Sequence, residues 1–179
     1  MAIPRSASLL QRAVELELAF CLRVTHKCNI YVVQRFFAII SRLGDGVLWY
    51  SLMLCLPFVD GWNGLQIALL MVAVGTVNLM LYKVLKRKTS RERPYAANRD
   101  IHLGTRPLDQ YSFPSGHTLH AVSFSLILIF FYPALTWILI PFTLLVAMSR
   151  VILGLHYPTD VLAGATIGLL TAIAGITLF

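Results

Sequence analysis

The sequence predicts an all-α, polytopic membrane helical bundle with five transmembrane helices, on three observations. Apolar residues make up 58% of the 179 residues and charged residues only 13%, against about 45–50% and about 25% in soluble domains. Mean hydropathy is +0.74. The apolar residues gather into five runs, 47–59, 65–85, 118–132, 134–149 and 161–179. A soluble domain of this composition would lack the polar surface needed to cover itself, so the expected surroundings are a lipid bilayer.

The stretch 8–42 places Leu9, Leu10, Ala13, Leu16 and Phe20, then Val32, Val33, Phe36, Phe37 and Ile40, at helical spacing. Arg12, Glu15, Arg23, Lys27, Arg35 and Arg42 stand between them. Carrying that many charges across a bilayer costs several kcal/mol, so residues 1–44 are read as N-terminal interfacial amphipathic helices. A sixth span near 9–24 is the alternative. Arg5, Arg12, Glu15 and Glu17 interrupt any signal-peptide core, and the N-terminus is expected to be retained. Gly44-Asp45-Gly46 then breaks the helical pattern, with Asp45 placed to cap the next helix.

Residues 45–179 form the expected transmembrane core, and with no linker between the two parts the chain reads as one domain overall. Two runs, 47–59 and 118–132, fall short of the roughly 20 residues a span needs, and tilt or burial around a polar pocket would accommodate them. The last run carries Gly164 and Gly168 at a spacing that lets helices approach closely. Cys21, Cys28 and Cys55 stand singly among apolar neighbours, which favours inert thiols over a disulfide or a redox pair.

Three short blocks carry the chemistry: Lys86 with Arg93-Pro94; Pro114-Ser115-Gly116-His117; and Ser149-Arg150 followed by His156 and Asp160. They supply three cations, two imidazoles and a carboxylate around a Ser-Gly turn, the inventory needed to hold a phosphate and attack it without a metal. With five spans, Lys86 closes the second, His117 opens the third, Arg150 closes the fourth, and His156 with Asp160 opens the fifth. All fall on one membrane face, a condition that unrelated motifs would not be expected to meet.

Lys86, Arg93 and Arg150 suit the charge that spreads over the equatorial oxygens of a transferring phosphoryl group. Ser115 and the backbone N–H of Gly116 add donors at a helix start. Asp160, one turn beyond His156, would take one imidazole N–H and leave the other nitrogen to attack phosphorus. His117 would protonate the departing alkoxide and then deprotonate the water that hydrolyses the phosphohistidine.

At these positions the chain resembles the type 2 phosphatidic acid phosphatase superfamily, which includes lipid phosphate phosphatases and vanadium haloperoxidases. All eleven signature residues named above match, and the resemblance covers roughly residues 44–170. It implies an integral-membrane lipid phosphate phosphatase, with catalytic His156, His117 and Asp160 and phosphate-binding Lys86, Arg93, Ser115, Gly116 and Arg150. Neither a metal nor a cofactor is expected, and the partner is a membrane lipid phosphate, not a nucleic acid. A lipid phosphotransferase, a vanadium-dependent oxidoreductase and a non-catalytic lipid-binding protein are the competing readings. Composition speaks against the oxidoreductase, whose relatives are soluble, and the paired histidines speak against a passive binder.

Other polar residues have plainer readings. Arg87, Lys88 and Arg91 form a basic flank for lipid headgroups. His120 lines the pocket, His26 and His102 are exposed, and Ser149 bonds locally. In the connection from Tyr95 to Phe113, Arg99, Asp100, His102, Arg106 and Asp109 are placed to read a headgroup. All fifteen Lys and Arg residues fall on the face that carries the blocks, which by the positive-inside rule puts the site on the cytoplasmic face of a bacterial plasma (inner) membrane. The resemblance points the other way, since many bacterial members work on the outer, periplasmic face. Nothing in the sequence selects the lipid tail.

Overall fold

The computed structural model describes residues 9–107 and 109–179; Arg5 and the side chains of Leu9 and Leu10 lie outside the described residues. Helices α1 (Leu9–Lys27) and α2 (Tyr31–Arg42) account for the predicted amphipathic stretch. Both pack on α6 (Thr136–Ile152). The inward face of α2 presents Gln34, Phe37 and Ser41, with Phe37 against Ile152, Leu153 and Leu155, while Tyr31, Val32 and Ile39 face outward.

A kink within Leu43–Val47, where the backbone leaves the helical region at Asp45 and Gly46, joins α2 to α3 (Leu48–Thr89). The expected cap is not made, since neither flanking helix takes a side-chain hydrogen bond at its start. Helix α3 is two helices joined by a reversal at Asp60-Gly61, where the backbone leaves the helical region (Gly61 φ 54°, ψ −127°). A methyl group at Gly64 would fall 2.1 Å from the Leu56 carbonyl oxygen, eight residues back. An unbroken helix would put those residues about 12 Å apart along its axis, so the arms 48–59 and 62–89 fold against each other as a hairpin.

The predicted five-helix core is therefore the two arms of α3, α5 (Gly116–Phe131), α6 and α7 (Pro158–Leu178), with a single turn, α4 (Pro94–Ala97), in the connection over the site. Helix α5 packs on α3, α6 and α7. Its closest partner is α7, because Gly164 and Gly168 bring that helix against backbone: added methyl groups would sit 2.5 Å from the Ser115 oxygen and 2.4 Å from that of Leu119. Trp49, buried, joins the layers, its ring 5.6 Å from Phe124 on α5 and 5.8 Å from Phe142 on α6.

The outer surface is apolar to a degree water would not tolerate: Phe58 is 90% exposed and Trp137 86%. The segments Pro133–Ile152 and Pro158–Leu178 are each long and apolar enough to cross a membrane, and so is the region containing α3. The chain is a membrane protein. At the end of the bundle away from the site, the Tyr132 hydroxyl donates to Asp60 Oδ2 at 2.8 Å and ties the α3 reversal to the α5–α6 connection. Both connections thus lie at one end, as alternating spans require.

Candidate active site

Five helix ends and two connections meet around one cavity of about 310 Å³. Lys86, Arg93, Gly116, His117, Arg150 and His156 all line it. The rest of its wall is largely apolar, with Trp49, Met53, Met71, Val72, Leu79 and Phe124 running down between the arms of α3 and α5. The cavity has a charged end and an oily end.

Lys86, in the last turns of α3, Arg93, just before α4, and Arg150, in the last turn of α6, are all buried. Three cations held this close need an anion, and here two of them share one. Lys86 Nζ donates to both carboxylate oxygens of Asp109 at 2.7 Å and to the Tyr111 carbonyl at 3.0 Å. Arg93 donates from Nη2 to Asp109 Oδ1 at 2.6 Å, from Nε to the Asp109 carbonyl at 3.0 Å, and from Nη1 to the Leu155 carbonyl at 2.9 Å. Although burial alone would raise the Asp109 pKa, the bonds and charges of Lys86 and Arg93 hold it below the usual carboxylate range. Arg150 donates to the Ser41 hydroxyl on α2.

An ammonium group has three N–H bonds, and all those of Lys86 are committed. A phosphate reaching Lys86 and Arg93 must take the place of Asp109. Replacing that carboxylate by an amide weakens the competing bonds. Asp109→Asn is expected to lower KM for a lipid phosphate about tenfold, or ~1.4 kcal/mol, with little change in kcat; an unchanged or raised KM in detergent micelles would count against Asp109 as the occupant that substrate displaces.

His156 follows the bend that ends α6, and its Nε2 lies 3.3 Å from Arg93 Nη1 at the charged end. Its Nδ1 is buried with no hydrogen-bond partner and lies 3.6 Å from Asp160 Oδ2. The expected bond between them is not closed, because the fully buried Asp160 is held elsewhere. Its Oδ2 accepts from the Tyr157 backbone N–H at 2.9 Å, capping α7, and its Oδ1 accepts from Arg91 at 2.7 Å. Burial, with the charges of Arg150, Arg93 and Lys86, pushes the His156 pKa well below its ordinary value, which favours the neutral ring; since a guanidinium only donates, Nε2 is the acceptor beside Arg93 and the proton belongs on Nδ1.

Arg91 departs from its predicted place on a lipid-facing flank. It spans Asp160 and Glu17 of α1, each at 2.7 Å, with its guanidinium 4.0 Å from the centre of the Tyr157 ring. Glu17 also accepts from the backbone N–H and the hydroxyl of Thr159 at 2.9 and 3.0 Å. The first helix is thereby fastened to the start of the last one. No periodicity marks Arg91 or Glu17 for this part.

At the start of α5, Gly116 faces the cavity, and the helix leaves its first N–H groups without intrahelical partners. The Ser115 hydroxyl is turned away toward Thr118 at 3.0 Å, and its backbone N–H donates to the Asp160 carbonyl at 3.0 Å. His117 Nε2 lies 3.1 Å from Asp45 Oδ1, a contact the sequence did not signal. His120 lines the cavity, with Nδ1 2.9 Å from the Gly116 carbonyl, and Ser149 bonds locally to Val146. His26 and His102 are exposed. Among the described residues, no cluster of three or more His, Cys, Asp or Glu side chains is arranged to hold a metal ion.

Known proteins resemble this chain in sequence and in fold. The chain is 35% identical over 150 residues to phosphatidylglycerophosphatase B of Bacillus subtilis, covering 74% of this chain and 62% of that one. It is 30% identical over 142 residues to an undecaprenyl-diphosphatase of Sulfolobus acidocaldarius, covering 78% and 68%. The chain therefore spans about two thirds of the length of these curated relatives. Its fold matches the crystal structure of a transmembrane PAP2-type phosphatidylglycerolphosphate phosphatase from Bacillus subtilis with a TM-score of 0.77 at 26% identity, over 97% of this chain and 87% of that chain. The sequence model of the PAP2 superfamily covers residues 64–179, which include every residue of the three blocks, and the chain belongs to that superfamily.

Proposed function

We propose that the chain is an integral-membrane lipid phosphate phosphatase working through a phosphohistidine on His156. One observation carries the reading: the cavity joins a cradle of Lys86, Arg93 and Arg150 to an apolar wall running between α3 and α5. That shape takes an amphiphile, phosphate at one end and tail at the other. Neutral His156 attacks phosphorus through Nε2, the N–P bond forms as the ester P–O bond breaks, and His117 gives its proton to the leaving alkoxide. A water then attacks phosphorus as His117 takes its proton back, and orthophosphate leaves. Lys86, Arg93, Arg150 and the Gly116 N–H stabilise the equatorial oxygens throughout. Asp160, fixed by Arg91 and Tyr157, orients His156 and stabilises positive charge on it.

The names of the relatives support two substrate classes, a phosphatidylglycerol phosphate and an isoprenyl diphosphate. The test is phosphate release from purified phosphatidate, phosphatidylglycerol phosphate, and isoprenyl mono- and diphosphates, by wild type and by His156→Ala. Release from none of them by the wild type, or equal release by the variant, would overturn the reading. Glycerol or a second lipid added as acceptor distinguishes hydrolysis from phosphotransfer.

We further assign the site to the cytoplasmic face of a bacterial inner membrane, on the strength of the sequence order, which puts the Lys and Arg residues at the ends of the runs on that side. Thr105→Cys, in the connection beside the site, is expected to resist a membrane-impermeant thiol reagent in intact cells and to react after permeabilisation. Labelling in intact cells places the site outside.

A further inference from the structure

The motif Gly44-Asp45-Gly46 lies outside the residues that carry the family match, yet it is built with unusual care. Gly44 packs so closely on α6 that a methyl group there would sit 2.9 Å from Val146 Cγ2. Gly46 has φ +120°, a conformation that L side chains rarely adopt. Backbone held outside the common regions clusters at functional sites in proteins, because the local cost is borne only where the shape is needed, and here the kink runs through Asp45 and Gly46. What this turn does is place the Asp45 carboxylate in the cavity wall, with Oδ1 3.1 Å from His117 Nε2.

Among the described residues, the one hydrogen-bond-length contact shown for the Asp45 carboxylate is with this imidazole, while Arg150, whose Nε is buried without a hydrogen-bond partner, acts on it only through its charge. Lys86 and Arg93 are engaged by Asp109, and Arg150 by Ser41. His120, one turn along α5, has Nδ1 at the Gly116 carbonyl. Two of the three cavity imidazoles have an aspartate beside them: Asp160 at 3.6 Å from His156, and Asp45 at 3.1 Å from His117.

We propose that Asp45 is a positioning residue for proton transfer: it accepts Nε2–H from His117 throughout the cycle, so that the protonated ring gives its Nδ1 proton to the leaving oxygen and the neutral ring, left as the Nε2–H tautomer, takes a proton back from water at Nδ1. The inference rests on the phosphatase reading and deepens it. A residue acting this way affects only the step in which a proton moves. It leaves the phosphate cradle alone.

The experiment is Asp45→Asn, with Asp45→Glu as the conservative variant, assayed on a long-chain alkyl phosphate and on an aryl phosphate such as p-nitrophenyl phosphate. On the alkyl ester, whose leaving group needs a proton, kcat is expected to fall by about 10²-fold with KM nearly unchanged, and Asp45→Glu should restore part of it. On the aryl ester the first-turnover burst of aryloxide, which reads formation of the phosphohistidine alone, should lose under about threefold, because the aryloxide departs unprotonated, whereas its steady-state hydrolysis, which still needs a proton taken from water, should fall. Added to His117→Gln, Asp45→Asn should cost nothing further on the alkyl ester. The ring-nitrogen spectrum of His117 in labelled protein, read by ¹⁵N NMR, should show the Nε2–H tautomer in wild type and lose it in Asp45→Asn. A loss in the aryl burst equal to the loss on the alkyl ester, additive losses with His117→Gln, or an unchanged spectrum overturns the proposal. If the wild type hydrolyses neither ester and none of the lipid phosphates above, the phosphatase reading fails by itself, and the spectrum still decides the Asp45–His117 pair.

Discussion

His156→Ala is expected to reduce phosphate release by about 10⁴-fold or more, because no other side chain at the charged end of the cavity can form the N–P bond. His117 and His120 line the cavity too, but His117 faces Asp45 and His120 faces the Gly116 carbonyl. Arg93 lies 3.3 Å from His156 Nε2, a neighbour that repels a protonated ring and tolerates a neutral one. Burial and the surrounding cations hold the His156 pKa well below the ordinary 6.5. The acid limb of kcat/KM should accordingly lie below 6.5, with the nucleophile neutral through the mildly acidic range. The sign for stability is the opposite of a salt-bridged histidine. Between the depressed folded value and 6.5 the unfolded chain binds the proton and the folded chain does not, so folding weakens as the pH falls through that window. A pH–rate profile whose acid limb sits at the free-imidazole value would remove His156 from the nucleophile's place.

Arg93→Lys should cost about 10²–10³-fold in kcat although it keeps the charge. The guanidinium works in three directions at once, with Nε on the Asp109 carbonyl, Nη1 on the Leu155 carbonyl and Nη2 on the Asp109 carboxylate. The Leu155 contact positions the residue just before His156. An ammonium at the end of a flexible stem cannot hold the 90–93 connection, the connection carrying Asp109 and the α6–α7 bend together. Near-wild-type kcat in Arg93→Lys would mean that charge alone suffices there. Thermal melting of the two proteins separates a lost scaffold from a lost transition-state contact, since only the former moves the midpoint.

The bundle was legible because its causes are periodic or cumulative. The apolar runs end where charge begins, and α5, α6 and α7 fall within a few residues of the runs that announce them. Gly164 and Gly168 were legible as a close approach because nothing but a second backbone needs so little side chain. The convergence of Lys86, Arg93, His117, Arg150 and His156 followed from counting passes, which is topology and not geometry. Partners chosen by geometry stayed hidden. Asp45 read as a helix cap, Arg91 as a headgroup contact and Glu17 as a break in an apolar run, and each instead completes a contact across 69 to 74 residues of chain. Asp109 was visible only as one of several polar residues in the loop over the site. A carboxylate in an irregular connection has no repeat to betray which cation it meets.

The carboxylate of Asp109 has a kinetic meaning that reaches past substrate binding. Attached by its own backbone beside Lys86 and Arg93, it re-engages them intramolecularly, at an effective concentration that dilution cannot reduce. Orthophosphate left in the cradle after each cycle meets the same rival as the incoming lipid. On the proposed mechanism the tethered carboxylate acts as a built-in eluent, a rival anion against product as against substrate, so Asp109→Asn is expected to strengthen inhibition by added orthophosphate as it lowers KM.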